Sequence, residues 1–170
     1  QGQNINIYPR LSGGGKYRFT LQLAQGLTRE AELPLGSRVM ALHQINNRRF
    51  AFTDRAVYEL LDTGPVLLAE IELNGPQAQA ASNGLQIVVV DGLVGYVVTL
   101  STNAVTRITS ESFYPATHVV YQDGYFIFNR ADTQQFFISS LLSVDFDAFD
   151  FASSEGQPDG LVALVSDHRE

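Results

Sequence analysis

A unit of apolar strand, polar turn and second apolar strand recurs three times along this chain. It occupies VMALHQINNRRFAFTDRAVYELL (residues 39–61), AQAASNGLQIVVVDGLVGYVVTL (78–100) and THVVYQDGYFIFNRADTQQFFIS (117–139). Each unit runs on past Asp54, Asp91 or Asn129 into a third apolar strand carrying an aromatic, Tyr58, Tyr96 or Phe136. The turns are Asn46-Asn47, Asn83-Gly84 and Asp123-Gly124. Such pairs between β-rich runs predict type I′ hairpins, which need positive φ at both central residues. The turns begin at 46, 83, 123 and, more weakly, 167, so the spacings are 37, 40 and 44 residues.

A three- or four-stranded β unit repeating at about 40 residues is the mark of a propeller blade. VLLAEIEL (66–73) and AVTRITS (104–110) supply fourth strands that would complete blades. Helical periodicity is confined to a short possibility at LTREAEL (27–33). The expected fold is all-β, a propeller-like array of antiparallel blades present as a partial propeller, about three blades plus the start of a fourth. LVALVSDHRE reads as the opening strand and turn of that fourth unit, so the propeller is expected to continue beyond the chain. Residues 1–38 form an N-terminal strand and turn region, and residues 39–170 the blades.

Charge is unevenly placed. Residues 1–57 hold eight basic and three acidic side chains, and residues 58–170 three basic and fifteen acidic. Opposite fields follow if these are shown on separate surfaces. Ten of the eleven basic residues are Arg, which suits planar bidentate contacts at interfaces. The absence of Cys removes disulfides, thiolate metal sites and thiol nucleophiles, and the absence of Trp lowers the case for a sugar cleft. No apolar run approaches the roughly 20 residues of a membrane helix.

The local signals for chemistry are weak. SGGGKYRF (12–19) lacks the P-loop spacing, with Arg10 where its first glycine belongs and Tyr17 where Ser or Thr should follow the lysine. It reads as a turn before the strand YRFTLQL. His43, His118 and His168 fall at comparable places in separate units, which does not converge ligands on one metal. In DFDAFDF (145–151), Asp145 and Asp147 share one strand face and Phe146 the other, but Phe149 and Phe151 break the alternation. A bulge near Ala148 would return the phenylalanines to one side, giving a bulged or bent strand edge. EF-hand calcium spacing is absent, while paired glycosidase carboxylates and an acidic interface remain open.

The residues also resemble a known family. NINIYPR (4–10), YQDGYFIFNRADTQQFFISSL (121–141), FASSEGQPDGLVAL (151–164) and the following SDHRE are similar to the bacteriophage packaged-DNA stabilisation family. The resemblance spans residues 4–170, with 121–170 its specific part. Arg10 departs from the family's usual acidic residue. The resemblance implies a structural virion protein of a short-tailed phage tail, made in the host cytoplasm, without enzymatic activity, cofactor or metal. It implies a homo-oligomer, commonly a hexameric ring, beneath the portal and adaptor proteins, closing the DNA exit channel after packaging and later forming part of the ejection conduit for double-stranded DNA.

An acidic surface would let the duplex pass, because each phosphate neutralised by Arg adds affinity. Arg48, Arg49 and Arg55 are candidates to face a neighbouring subunit, and Asp145, Asp147 and Asp150 to form the acidic surface. The alternatives are a propeller-type protein-binding module and a tail-associated glycosidase.

Overall fold

The computed structural model describes residues 7–11, 19–23, 29, 31–36, 38–153 and 160–166. Backbone contacts divide the chain into two compact units, Gln1–Glu32 and Leu33–Glu170. The glycine turn at 12–18, residues 27, 28 and 30 of LTREAEL, residues 154–159 and the fourth turn with His168 lie outside the described residues.

In the first unit β1 (Ile7–Leu11) pairs antiparallel with β2 (Phe19–Leu23), Ile7 opposite Leu23 and Leu11 opposite Phe19. The second unit holds three four-stranded antiparallel meanders, and no helix occurs among the described residues. The first blade contains β3 (Val39–Ile45), β4 (Arg48–Thr53), β5 (Ala56–Leu61) and β6 (Gly64–Glu70). The second contains β7 (Gln79–Ser82), β8 (Gln86–Val90), β9 (Gly95–Thr99) and β10 (Ala104–Arg107). The third contains β11 (Val119–Gln122), β12 (Tyr125–Asn129), β13 (Gln135–Ile138) and β14 (Phe151–Ser153). The three sheets do not close a ring. Residues 161–166 carry no strand pairing.

Turn chemistry follows the sequence at two of three sites. Asn46 and Asn47 have φ of 51° and 61°, and Asp123 and Gly124 have 53° and 91°. Both pairs therefore adopt the left-handed backbone that a two-residue hairpin between right-twisted strands requires. The loop after β7 differs. Only Gly84 has positive φ there, and the Asn83 carboxamide oxygen accepts from Leu85 N and Gln86 N at 2.9 and 2.7 Å. A side chain thus caps a three-residue loop in place of the expected type I′ turn.

The blades pack face to face through strand alternation. In β8, Ile87 and Val89 enter a core shared with Phe50, Phe52 and Val57 of the first blade. Val88 and Val90 enter a second core with Phe126, Phe128 and Phe137 of the third. The sequence IVVV is apolar at every position because the middle blade is buried on both faces, and its β-branched side chains suit a strand. At about 1.5–3 kcal/mol for each fully buried Val, Ile or Phe, these two seams dominate the unit's stability. Phe137, facing Phe128 across the strands and packed into the second seam, takes the place that Tyr96 has in the first. That is one residue later than the aromatic repeat suggested, with Phe136 on the opposite face.

Each blade is also tied to the segment that enters it. The Asp54 carboxylate accepts from Arg38 N at 3.2 Å, and the Asn129 carboxamide oxygen from Thr117 N and His118 N at 3.0 and 2.8 Å. Asp91 does more. Its Oδ2 accepts from Asn74 N and Gly75 N, and its Oδ1 from Leu93 N and Val94 N. Fully buried, it satisfies four N–H groups that packing removes from water. Two tyrosines repeat the theme, since Tyr58 Oη accepts from Leu35 N and Tyr96 Oη from Glu72 N. The polar residue at the end of each second strand or just after it is thus an anchor for the blade connector.

Candidate functional site

Arg48 opens β4 on the face turned toward the second blade. Its Nε and Nη2 donate to the two oxygens of Glu59 at 2.6 and 2.8 Å. The same guanidinium reaches the second blade, where Nη1 donates to Leu100 O and Nη2 to Asn103 Oδ1 at 2.8 and 2.6 Å, and it lies 4.9 Å from the Phe50 ring centroid. The hydrogen bonds from Arg48 hold the Glu59 carboxyl below its ordinary range despite burial, and Glu59 raises Arg48 in return. Arg48 is therefore a clamp between blades of one chain, with its donors already engaged.

The other candidates sit apart. Arg49 pairs with the exposed Asp62 at 3.1 Å, and Arg55 is exposed on the β4–β5 turn beside Glu72 and Asn74. Asp145, Asp147 and Asp150 lie on the third blade, so the arginines and the acids are not gathered into one site.

The acidic stretch is not a strand edge. Residues 139–150 form the long connection from β13 to β14, and pairing resumes only at Phe151. Ser140 N donates to Asp145 O, Phe149 N to the Asp147 carboxylate, and Ile138 N to Asp150 O. Backbone bonds and the Asp147 side chain thus fold the segment onto itself. Phe146 packs against the second seam, whereas Phe149 is 87% exposed, so no bulge returns the phenylalanines to one side.

The division of charge also moves. Residues 1–32 hold four basic and two acidic side chains, and residues 33–170 seven and sixteen. A boundary at residue 57 separates Arg48 and Arg49 from Glu59 and Asp62, the acids that neutralise them. The first strands β3, β7 and β11, which run side by side, contain no Asp or Glu. Apart from Glu59 on β5, the acids among the described residues sit on turns, connectors and the outer strand β6.

His43 Nε2 lies 2.8 Å from Ser82 Oγ across the first seam, and burial lowers the His43 pKa. His118 Nδ1 lies 2.9 Å from Thr117 Oγ1. The two histidines serve separate contacts, and among the described residues no group of three His, Asp or Glu is placed to hold a metal. No helix among them is long and apolar enough to cross a membrane.

The sequence profile of the family described as Bacteriophage P22 Gp10, beta-propeller matches residues 4–170. The chain belongs to this family. This is a phage packaged-DNA stabilisation family, as the resemblance across residues 4–170 implied. No curated protein is significantly similar to it.

Solved structures agree with this chain at the level of fold alone. The computationally designed Ika4 protein is 11% identical with a TM-score of 0.59, over 84% of this chain and 89% of that one. The designed Ika8 protein is 13% identical with a TM-score of 0.58, over 99% of this chain and 52% of its own. A chain from the S. cerevisiae assembly of Dbp5, Nup159 and Gle1 is 12% identical with a TM-score of 0.52, over 77% of this chain and 34% of its own. The chain thus spans about half of Ika8 and a third of the yeast chain.

Proposed function

We propose that the protein belongs to the phage tail, where it closes the DNA exit channel after packaging and later forms part of the ejection conduit. The family match over residues 4–170 carries this reading. Its partners are the portal and adaptor proteins and further copies of itself, arranged as a ring.

The chemistry of the second unit supports passage of DNA without capture. Residues 33–170 carry a net charge of -9, which repels a duplex. Their arginines are largely engaged within the fold: Arg38 donates to Gly75 O, Arg48 to Glu59, Arg49 to Asp62 and Arg130 to Gln135. A guanidinium already holding an internal acceptor has less to offer a phosphate, so salt-dependent retention stays low. The acids on connectors and outer strands would face the DNA only through the arrangement of copies around the channel.

The test is assembly of the whole protein on the portal and adaptor complex, followed by native mass measurement and by release of DNA from filled heads. Ring addition on that complex, with DNA retained only when the protein is present, is expected. A monomer that ignores the complex and leaves retention unchanged would overturn the reading.

A further inference from the structure

The seam between the first and second blades ends in Arg48, whereas the same end of the next seam is open. Strand register defines the equivalence. Phe50 lies opposite Glu59 and Val88 opposite Val97, and Phe50 and Val88 each face the following blade. Two residues upstream on that face stand Arg48 and Gln86. Gln86 therefore replaces the cation and Val97 its carboxylate. Both line a cleft of about 620 Å³, closed on its far side by residues 143–146 of the third blade.

The cleft offers the kinds of group that Arg48 meets in the first seam. There a guanidinium finds a carboxylate, a side-chain carbonyl, a backbone carbonyl and an aromatic face. Here the lining includes Gln86, Thr99, Phe146 and Asp145, one carboxylate oxygen of which accepts from the Ser143 hydroxyl. Carboxylate and planar neighbours suit guanidinium above an ammonium.

One wall is also a sheet edge. β10 is the last strand of its sheet, and Thr106 and Arg107 line the cleft. Ile108 N donates to Gly95 O, and by antiparallel alternation Thr106 and Ala104 also bond toward β9. The N–H and C=O of Val105 and Arg107 therefore point to the free edge. The Arg107 side chain has no hydrogen bond or ion pair among the described residues.

We propose that this cleft docks an extended, arginine-bearing segment of a partner protein. The segment adds as a strand to the β10 edge and sets its guanidinium against Asp145, as Arg48 is set in the first seam. A carboxylate beside that arginine meets Arg107. The inference goes beyond DNA retention and does not depend on it.

Amide shifts of the full chain, titrated with acetyl-Thr-Arg-Glu-Val-amide and with the same peptide carrying norleucine for arginine, test the proposal. The arginine peptide is expected to shift Val105, Arg107 and Asp145, with binding at least about fivefold weaker for the norleucine peptide and for Asp145→Asn. Arg107→Pro removes a free-edge N–H without taking a bond from β9 and is expected to weaken binding likewise, with the spectrum's dispersion reporting an intact fold. No shift at millimolar peptide, equal binding of the norleucine peptide, or shifts confined elsewhere would overturn it. Self-association that shifts the same amides without peptide would overturn the assignment to a partner and make a second copy the occupant.

Discussion

Arg48 and Glu59 face each other on neighbouring strands of the first blade, and the guanidinium that grips the carboxylate also holds Leu100 O and Asn103 Oδ1 of the second. Replacing Arg48 by Met leaves a carboxylate that is only 8% exposed without its cation. The expected loss is about 2–3 kcal/mol, less than the roughly 3–5 kcal/mol of a fully buried pair because the Arg48 side chain is partly solvated. Asn103→Gly keeps the left-handed backbone (φ 59°), removes one acceptor and should cost about 1 kcal/mol. Urea unfolding distinguishes them, and equal losses would contradict the clamp.

Two groups give stability a pH dependence. The Glu59 carboxyl is held below its ordinary 4.5, chiefly by the Arg48 hydrogen bonds. Its contribution is complete above that value and lost as pH falls through the folded pKa. His43 is lowered from 6.5 by burial. The unfolded chain then takes up the proton first, so this stability is present above 6.5 and lost as pH falls through the folded value. Melting curves between about pH 7 and 5 should fall less for His43→Gln than for the wild type. Glu59→Gln should flatten the more acid limb. An unchanged wild-type slope in either variant would remove that group from the account.

Asp91 accepts four backbone N–H groups. Asp91→Ala strands those donors and should cost about 3 kcal/mol or more, whereas Asp91→Asn keeps one acceptor oxygen and should cost roughly half as much. A Cβ at Gly75 would lie 1.7 Å from Asp91 O. Gly75→Ala should therefore destabilise by more than about 2 kcal/mol, since backbone must shift to admit it. Thermal unfolding of the three variants checks the order.

Asn46 and Asn47 both have positive φ, and Asn46 also bonds across the seam, its Nδ2 donating to Gly84 O at 3.0 Å. Asn47→Gly should stabilise by about 0.5 kcal/mol by easing the left-handed backbone. Asn46→Gly should gain nothing net, because the easier backbone is offset by the lost hydrogen bond. A shift in urea midpoint for the first variant alone is the expected outcome.

Much of the fold was legible because its rules are local. Alternating apolar residues, left-handed turn pairs and a spacing of about 40 residues specify meanders without reference to distant contacts. Asp145 to Phe151 misled because seven residues show a period but not where the ladder stops. The Ser143 and Asp147 side chains instead accept from Asp145 N and Phe149 N, and the Asp145 carboxylate accepts from the Ser143 hydroxyl, which holds the segment out of the sheet. Arg48 misled for the opposite reason. Its partners Glu59, Leu100 and Asn103 lie 11, 52 and 55 residues away, beyond any local pattern.

The sequence by itself determined that the chain forms antiparallel blades, where their turns fall, and which family it belongs to. Each rests on residue types and short spacings that survive any arrangement of the blades. Only the tertiary structure decided which charges are already engaged and which remain available. Packing two blades brings Arg48 to acceptors in the second, whereas Gln86 and Val97 leave the next seam open, because a side chain's partner is set by the facing sheet.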